Sequence, residues 1–260
     1  MAAIVFLVLC FQLIHLVSSQ NLTHPLIRSK RQIQIGTIDY LMVIDSTAIR
    51  LFGGRENAER VARSVISRIT DIYADIDPRV KWEIDLIRLI FWDTDPVPIV
   101  TSNTAKDYET QFNRYMKYIA DTYYKSSDSY DTAMILSGLQ FVRQVGWSSV
   151  DTLCQPLSGG MVTTHYGQRQ RTKYDLSDNL AVHIGRNFGL KSITKNDPVC
   201  PCPTGCDHCV MYHFPFYTRT PDNDIHTTCW TRCSRQKLLS LISDPKAACL
   251  NEDTSELGDQ

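Results

Sequence analysis

The chain of 260 residues has almost no excess of charge of either sign: 27 basic against 28 acidic residues leave a formal net charge of -1. That removes the surface-wide field that draws a protein to nucleic acid or to an anionic membrane, so neither is an expected partner. Beyond the first 17 residues there is no second long apolar run, so no membrane span is expected in the mature chain. Internal repeats and linker-like stretches are also missing, and the length suits one core of ordinary size. Cysteine is absent between Cys10 and Cys154, which confines any covalent bracing of the mature chain to its C-terminal half.

What is present at the N-terminus is a leader. "MAAIVFLVLCFQLIHLVSSQ" is apolar to about Val17 and ends in small residues, with Val17 and Ser19 placed for cleavage, although the positive charge usual at its start is lacking. Residues 1–19 are expected to be a signal peptide and residues 20–31 a short propeptide. The latter ends in a dibasic site, Arg28, Lys30 and Arg31, where cleavage would release Gln32 as the first mature residue; a merely basic linker is the alternative. The propeptide carries the one glycosylation sequon, at Asn21. The expected product is secreted and extracellular.

The cysteines agree with secretion. Cys154, Cys200, Cys202, Cys206, Cys209, Cys229, Cys233 and Cys249 are even in number and read as four disulfides formed in an oxidising compartment. The tight cluster "CPCPTGCDHC" admits a structural zinc site as the alternative.

Strands and helices alternate along the mature chain. Residues 37–45, "TIDYLMVID", form a mostly apolar run suited to a strand buried on both faces. Val61, Val65, Ile69 and Ile72 recur every three to four residues and predict a helix over 58–73. "RVKWEIDL" alternates Val80, Trp82, Ile84 and Leu86 with charged residues, as a strand with one wet face does. Further helices are expected over 106–123, 131–141, from 175 onward and over 234–242, with a strand near 160–164. Beyond Gly189 the chain is rich in Cys, Pro and polar residues, and the tail 253–260 is acidic.

Several blocks carry a resemblance. "YDTAMILSG" is similar to "HDxAxLLTG", "VGWSSVDTLCQPLSGGMVTTH" to "VGxAxVGxMCxxxxSxGxVxDH", Cys209 to Met211 to "CIM", and "CSRQKLLSLISDPKAACL" to "CSxxxxxxFLxxxxPxCL". These are blocks of the adamalysin or reprolysin (M12B) metalloprotease domain found in snake-venom metalloproteases and ADAM proteins. The resemblance covers residues 38–251 and implies one domain over 32–252. Its fold would be α/β and metzincin-like, a mixed, mostly parallel sheet flanked by helices above a small disulfide-rich lower subdomain. It also implies the pairings Cys154–Cys249, Cys200–Cys233 and Cys202–Cys209, leaving Cys206 with Cys229. Each such bridge would add roughly 2 to 4 kcal/mol by restricting the unfolded chain.

The family's signature is "HExxHxxGxxHD". In "LAVHIGRNFGL" Gly185, Asn187 and Gly189 fix a gap-free register, and there the three zinc histidines become Val182, Arg186 and Ser192 while the catalytic glutamate becomes His183. Valine offers no lone pair, serine is a poor zinc ligand, and a protonated arginine sets a positive charge where the cation belongs. Without zinc there is no activated water for His183 to serve as a base. Sliding the register by one, with His183 as first ligand, restores one residue and loses three. Rescue by His165, His208, His213 or His226 is the remaining route to a metal, and each reads better as a surface or hydrogen-bonded histidine.

Three further expectations follow from the resemblance. Met211 is the methionine of the Met-turn, here in a structural role. Phe214, Phe216 and Tyr217 occupy the wall of the substrate pocket and either pack the lower subdomain or, with His183 and Arg186, reshape the cleft for binding. Asp39, Asp131, Cys249 and Asn251 stand near the places of a calcium site found in some relatives, with a solvated cluster as the alternative. No cofactor is expected otherwise.

The leading function is therefore a secreted, catalytically inactive pseudoprotease, a monomer that binds another protein. The alternatives are an active zinc metalloendopeptidase with non-standard ligands and a structural secreted protein without a specific partner. Nothing C-terminal resembles a disintegrin domain or membrane anchor, so integrin binding by that route is not implied.

Overall fold

The computed structural model describes residues 34–77, 80–100, 104–124, 129–140, 145–166, 169–194, 197–206, 208–212 and 228–251. Asn21, Arg31, Gln32, His213, Phe214, Phe216, Tyr217 and His226 lie outside them.

The elements run β1 (Gln34–Ile44), α1 (Ser46–Leu51), α2 (Arg55–Ala74), β2 (Val80–Phe91) and α3 (Ala105–Ile119), which continues as a π-helical turn over Ala120–Tyr124. Then come β3 (Thr132–Ser137), β4 (Gly146–Ser148), β5 (Gly159–Thr163), a small ribbon of β6 (His165–Tyr166) and β7 (Arg169–Gln170), and α4 (Lys173–Asn187). The C-terminal part holds β8 (His208–Cys209), β9 (Thr228–Cys229), α5 (Arg232–Leu241) and a tight helical turn, Pro245–Asn251.

The main sheet has the order β2-β1-β3-β5-β4. Its first four strands are mutually parallel, and β4 is antiparallel at the edge. Side chains of β1 alternate between the two faces, as the strand period requires. Ile38, Tyr40, Met42 and Ile44 enter a core shared with α2 and α4, while Leu41 and Val43 enter a second core shared with α3. On β4 the same alternation sends Trp147 to the α3 face. Gly146 and Ser148 are left on the side of α4.

The segment 131–141, expected as a helix, is strand β3 over most of its length. All six residues of "TAMILS" are buried, with β1 on one side and β5 on the other. A strand covered on both faces has no polar alternation, so its apolar run imitates a buried helix.

The eight cysteines are joined as Cys154–Cys249, Cys200–Cys233, Cys202–Cys209 and Cys206–Cys229. The cluster "CPCPTGCDHC" is thus oxidised and offers no thiolates, which removes the structural-zinc alternative. Cys154–Cys249 links the loop between β4 and β5 to the last helical turn, across a sequence separation of 95. The other three hold a region where, among the described residues, regular structure is short.

Candidate functional site

Helix α4 passes behind β5 and β4, and its two ends are fixed by its own sequence. At the start, Thr172 and Asp175 form a reciprocal capping box: Asp175 N–H donates to Thr172 Oγ1 at 3.1 Å and Thr172 N–H to Asp175 Oδ2 at 3.1 Å. At the end, Gly189 adopts φ 75°, its N–H donates to Arg186 O at 2.9 Å, and Leu190 N–H reaches back to Gly185 O at 2.9 Å. This pair of bonds is the Schellman closure, which needs a left-handed residue and so favours glycine. A Cβ on Gly189 would also stand 2.7 Å from Asp151 Oδ1.

Gly185 and Asn187 have equally definite tasks. A Cβ on Gly185 would lie 2.7 Å from Met211 Sδ, so the glycine lets Met211 pack against the helix. Asn187 is fully buried. Its Nδ2 donates to Ser149 O at 2.9 Å, Ser149 Oγ at 3.0 Å and Gly159 O at 3.1 Å, and its Oδ1 accepts from Thr132 Oγ1 at 2.8 Å. One side chain thereby ties α4 to β3, to β5 and to the turn after β4.

The positions between these residues are of another kind. Val182 is 5 % exposed and packs in the core cluster that holds Leu190, Val210 and Met211. His183 is also 5 % exposed, so it is buried against the sheet and does not line an open surface. Its Nδ1 and Ser148 Oγ share a hydrogen bond of 2.9 Å, and its Nε2 is so close to Gly146 that a Cβ there would stand 2.1 Å away. Burial, with the positive charges of Arg186 and Arg171 nearby, holds the imidazole pKa down at about 3. It is therefore neutral at any physiological pH.

Arg186, one turn on, is half-buried, and burial lowers the pKa of its guanidinium. Ser192 is exposed beyond the helix end. Arg171 is close enough to act on His183, and it donates to Val145 O at 3.3 Å, Thr163 O at 3.3 Å and Asp175 O at 3.4 Å. Of the other histidines, His165 meets Thr164 Oγ1 through its Nδ1 at 3.1 Å, and His208 is buried in β8. Neither falls in a group of three metal-ligating residues among the described residues.

A separate cluster joins Asp131, Cys154 and Cys249, but the two sulfurs are bonded to each other and are not ligands. Asp39 N–H donates to Asp131 Oδ2 at 2.9 Å and Asp131 N–H to Asp39 O at 2.9 Å. Oxygen donors suited to calcium do meet here, with one of them committed to a backbone amide.

Residues 38–253 match the family described as "Reprolysin (M12B) family zinc metalloprotease". The chain belongs to the reprolysin family. Its curated relatives include "A disintegrin and metalloproteinase with thrombospondin motifs 18" of Mus musculus and of Homo sapiens, each 22% identical over 225 residues. The match covers 85% of this chain and 17% of either relative, so the chain spans about a sixth of their length. A solved chain described as "Structure of a chaperone-substrate complex" is 13% identical over 62% of this chain and 24% of that one, at a TM-score of 0.46. That similarity is too low to bear on the fold.

The reprolysin family is described as zinc-dependent, yet the residues at its signature here do not fit the ion. Val182 has no donor atom, Arg186 brings a cation, and the nitrogens of His183 face Ser148 and Gly146 at the sheet edge. The frame of the reprolysin helix is thus present, while Val182, Arg186 and Ser192 bring no imidazole to its ligand positions. Ser148, Gly146 and Arg171, which surround His183, carry no signal in the sequence that marks them as its neighbours. Among the described residues, no helix is long and apolar enough to cross a membrane.

Proposed function

We propose that this chain is a secreted pseudoprotease, a reprolysin-family domain that binds a protein partner at its cleft without holding zinc or hydrolysing peptides. One observation carries the reading. The residues of α4 that serve architecture, Gly185, Asn187 and Gly189, are each engaged as a working helix needs, while Val182, His183, Arg186 and Ser192 supply neither three neutral donors nor a carboxylate base.

Secretion is supported by four disulfides together with the leader-like residues 1–19. Cleavage after Arg31, glycosylation at Asn21, the contribution of Phe214, Phe216 and Tyr217 to the cleft wall, and a monomeric state belong to the same proposal. Calcium at Asp39, Asp131, Cys249 and Asn251 is its subsidiary part.

The deciding experiment is the metal content of the purified, disulfide-intact protein, with an assay of chelator-sensitive cleavage of a denatured protein. Far less than one zinc per chain and no cleavage are expected. Stoichiometric zinc would sink the reading in favour of an active peptidase with unorthodox ligands.

A further inference from the structure

The unusual group at the signature positions is the guanidinium of Arg186. It is half-buried, and among the described residues it makes no hydrogen bond and no ion pair through its side chain. The other arginines around α4 are engaged. Arg171 is held by three carbonyls. Arg68 lies 3.6 Å from Asp178, donates to Thr228 Oγ1 at 3.3 Å and stacks on Tyr174. At this end of the helix the Asp151 carboxylate lies against Gly189. His183 is hydrogen-bonded to Ser148 and contributes no charge.

An arginine partly withdrawn from water without a counter-charge is costly, because lost hydration is not replaced. The cost disappears when a ligand supplies the anion, and the planar fork of a guanidinium matches a carboxylate with two parallel hydrogen bonds. A dianionic phosphate would call for a second cation, and Arg171, the other arginine close to His183, is already held by three carbonyls. Beside α4 runs β4, an edge strand paired on one side only, which leaves backbone groups for an extended chain.

Resting on the protein-binding reading above, we infer that Arg186 anchors a peptide carboxylate, either an Asp or Glu side chain or a free C-terminus of the partner segment. The cleft thus selects an acidic peptide at the position where its relatives' signature places a metal ligand.

The test uses the full disulfide-bonded chain on an array of synthetic decapeptides, in which an Asp or Glu is moved along the sequence. Matched sets carry Asn or Gln instead, a free or amidated C-terminus, or phosphoserine. Binding is then measured by titration of the selected peptides. Preference for carboxylate peptides over their amide counterparts is expected, and Arg186→Met should weaken it on the order of tenfold to a hundredfold, as loss of a charged hydrogen-bonded pair does. Arg186→Lys, which keeps the charge and loses the fork, should fall between, and its unchanged melting would show that the fold is intact. If the amidated set alone loses binding, the carboxylate is a C-terminus; if the Gln and Asn sets alone lose it, a side chain. Binding that ignores carboxylates and Arg186→Met, or that favours phosphoserine, overturns this inference and leaves protein binding standing. Failure of every peptide to bind the parent chain counts against both.

Discussion

His183 Nδ1 lies 2.9 Å from Ser148 Oγ, which joins the middle of α4 to the edge strand of the sheet. The side chain at the position of the signature's glutamate is therefore a packing and hydrogen-bonding residue, wedged under Gly146.

A double-mutant cycle tests that contact. Gly146→Ala alone should destabilise by about 1 to 3 kcal/mol, because a Cβ cannot coexist with the imidazole at 2.1 Å. His183→Ala alone should cost about 2 to 4 kcal/mol through the cavity and the stranded Ser148. In the His183→Ala background the Gly146→Ala change should cost much less, with only the Met161 carbonyl at 3.0 Å left to crowd the new Cβ, read by denaturant unfolding with disulfides intact. Additive costs would mean that the two residues do not touch.

Acid should reveal the same residue. The imidazole pKa is about 3 in the fold against an ordinary 6.5, so between those values the unfolded chain binds a proton that the folded chain does not. Stability then rises with pH in that window. The contribution of neutral His183 is fully present above 6.5 and is lost progressively as pH falls toward 3, a total on the order of a few kcal/mol. His183→Gln should have a shallower stability profile between pH 6.5 and 3 than the parent chain.

Asn187 is the most connected polar side chain of α4. Asn187→Ala leaves Thr132, Ser149 and Gly159 groups without their partner, and a loss of roughly 2 to 4 kcal/mol is expected. Asn187→Asp should be worse than its size suggests, since a carboxylate would face Ser149 and Gly159 carbonyls. Thermal melts of both variants check the order.

Zinc dependence should be absent in the parent and recoverable by substitution. Zinc-selective chelators should leave its melting temperature unchanged. The combined change Val182→His, His183→Glu, Arg186→His and Ser192→His should create a protein that binds about one zinc per chain, because three neutral imidazoles from one helix and its turn are the set that zinc takes. Equilibrium dialysis with zinc measures it, and equal uptake by parent and variant would show that the ion uses other residues.

Much of the sheet and helix order can be read from periodicity. The stripe of Val61, Val65, Ile69 and Ile72 marks α2, and the run to Asp45 marks β1, since each imprints its own period on the sequence. Residues 132–137 are misread as helix because burial on both faces erases the period. Two elements, α1 with six residues and β4 with three, are too short to imprint one. At the site, the replacement of the signature's histidines and glutamate is visible once a register is set, but the surroundings of His183 are not. Ser148 is 35 residues away in the chain, and only the pairing of β4 with β5 brings it to the helix.

The terminal locks of α4 have a wider consequence. Thr172 and Asp175 at one end, Gly189 and Leu190 at the other, and Asn187 between them hold the helix through groups that would not touch an ion at the signature positions. Support and chemistry are written in separate letters of the same short word. Only Arg186 and Ser192 among the signature positions reach beyond the core, so those two can be rewritten without disturbing the locks, on a scaffold braced by disulfides.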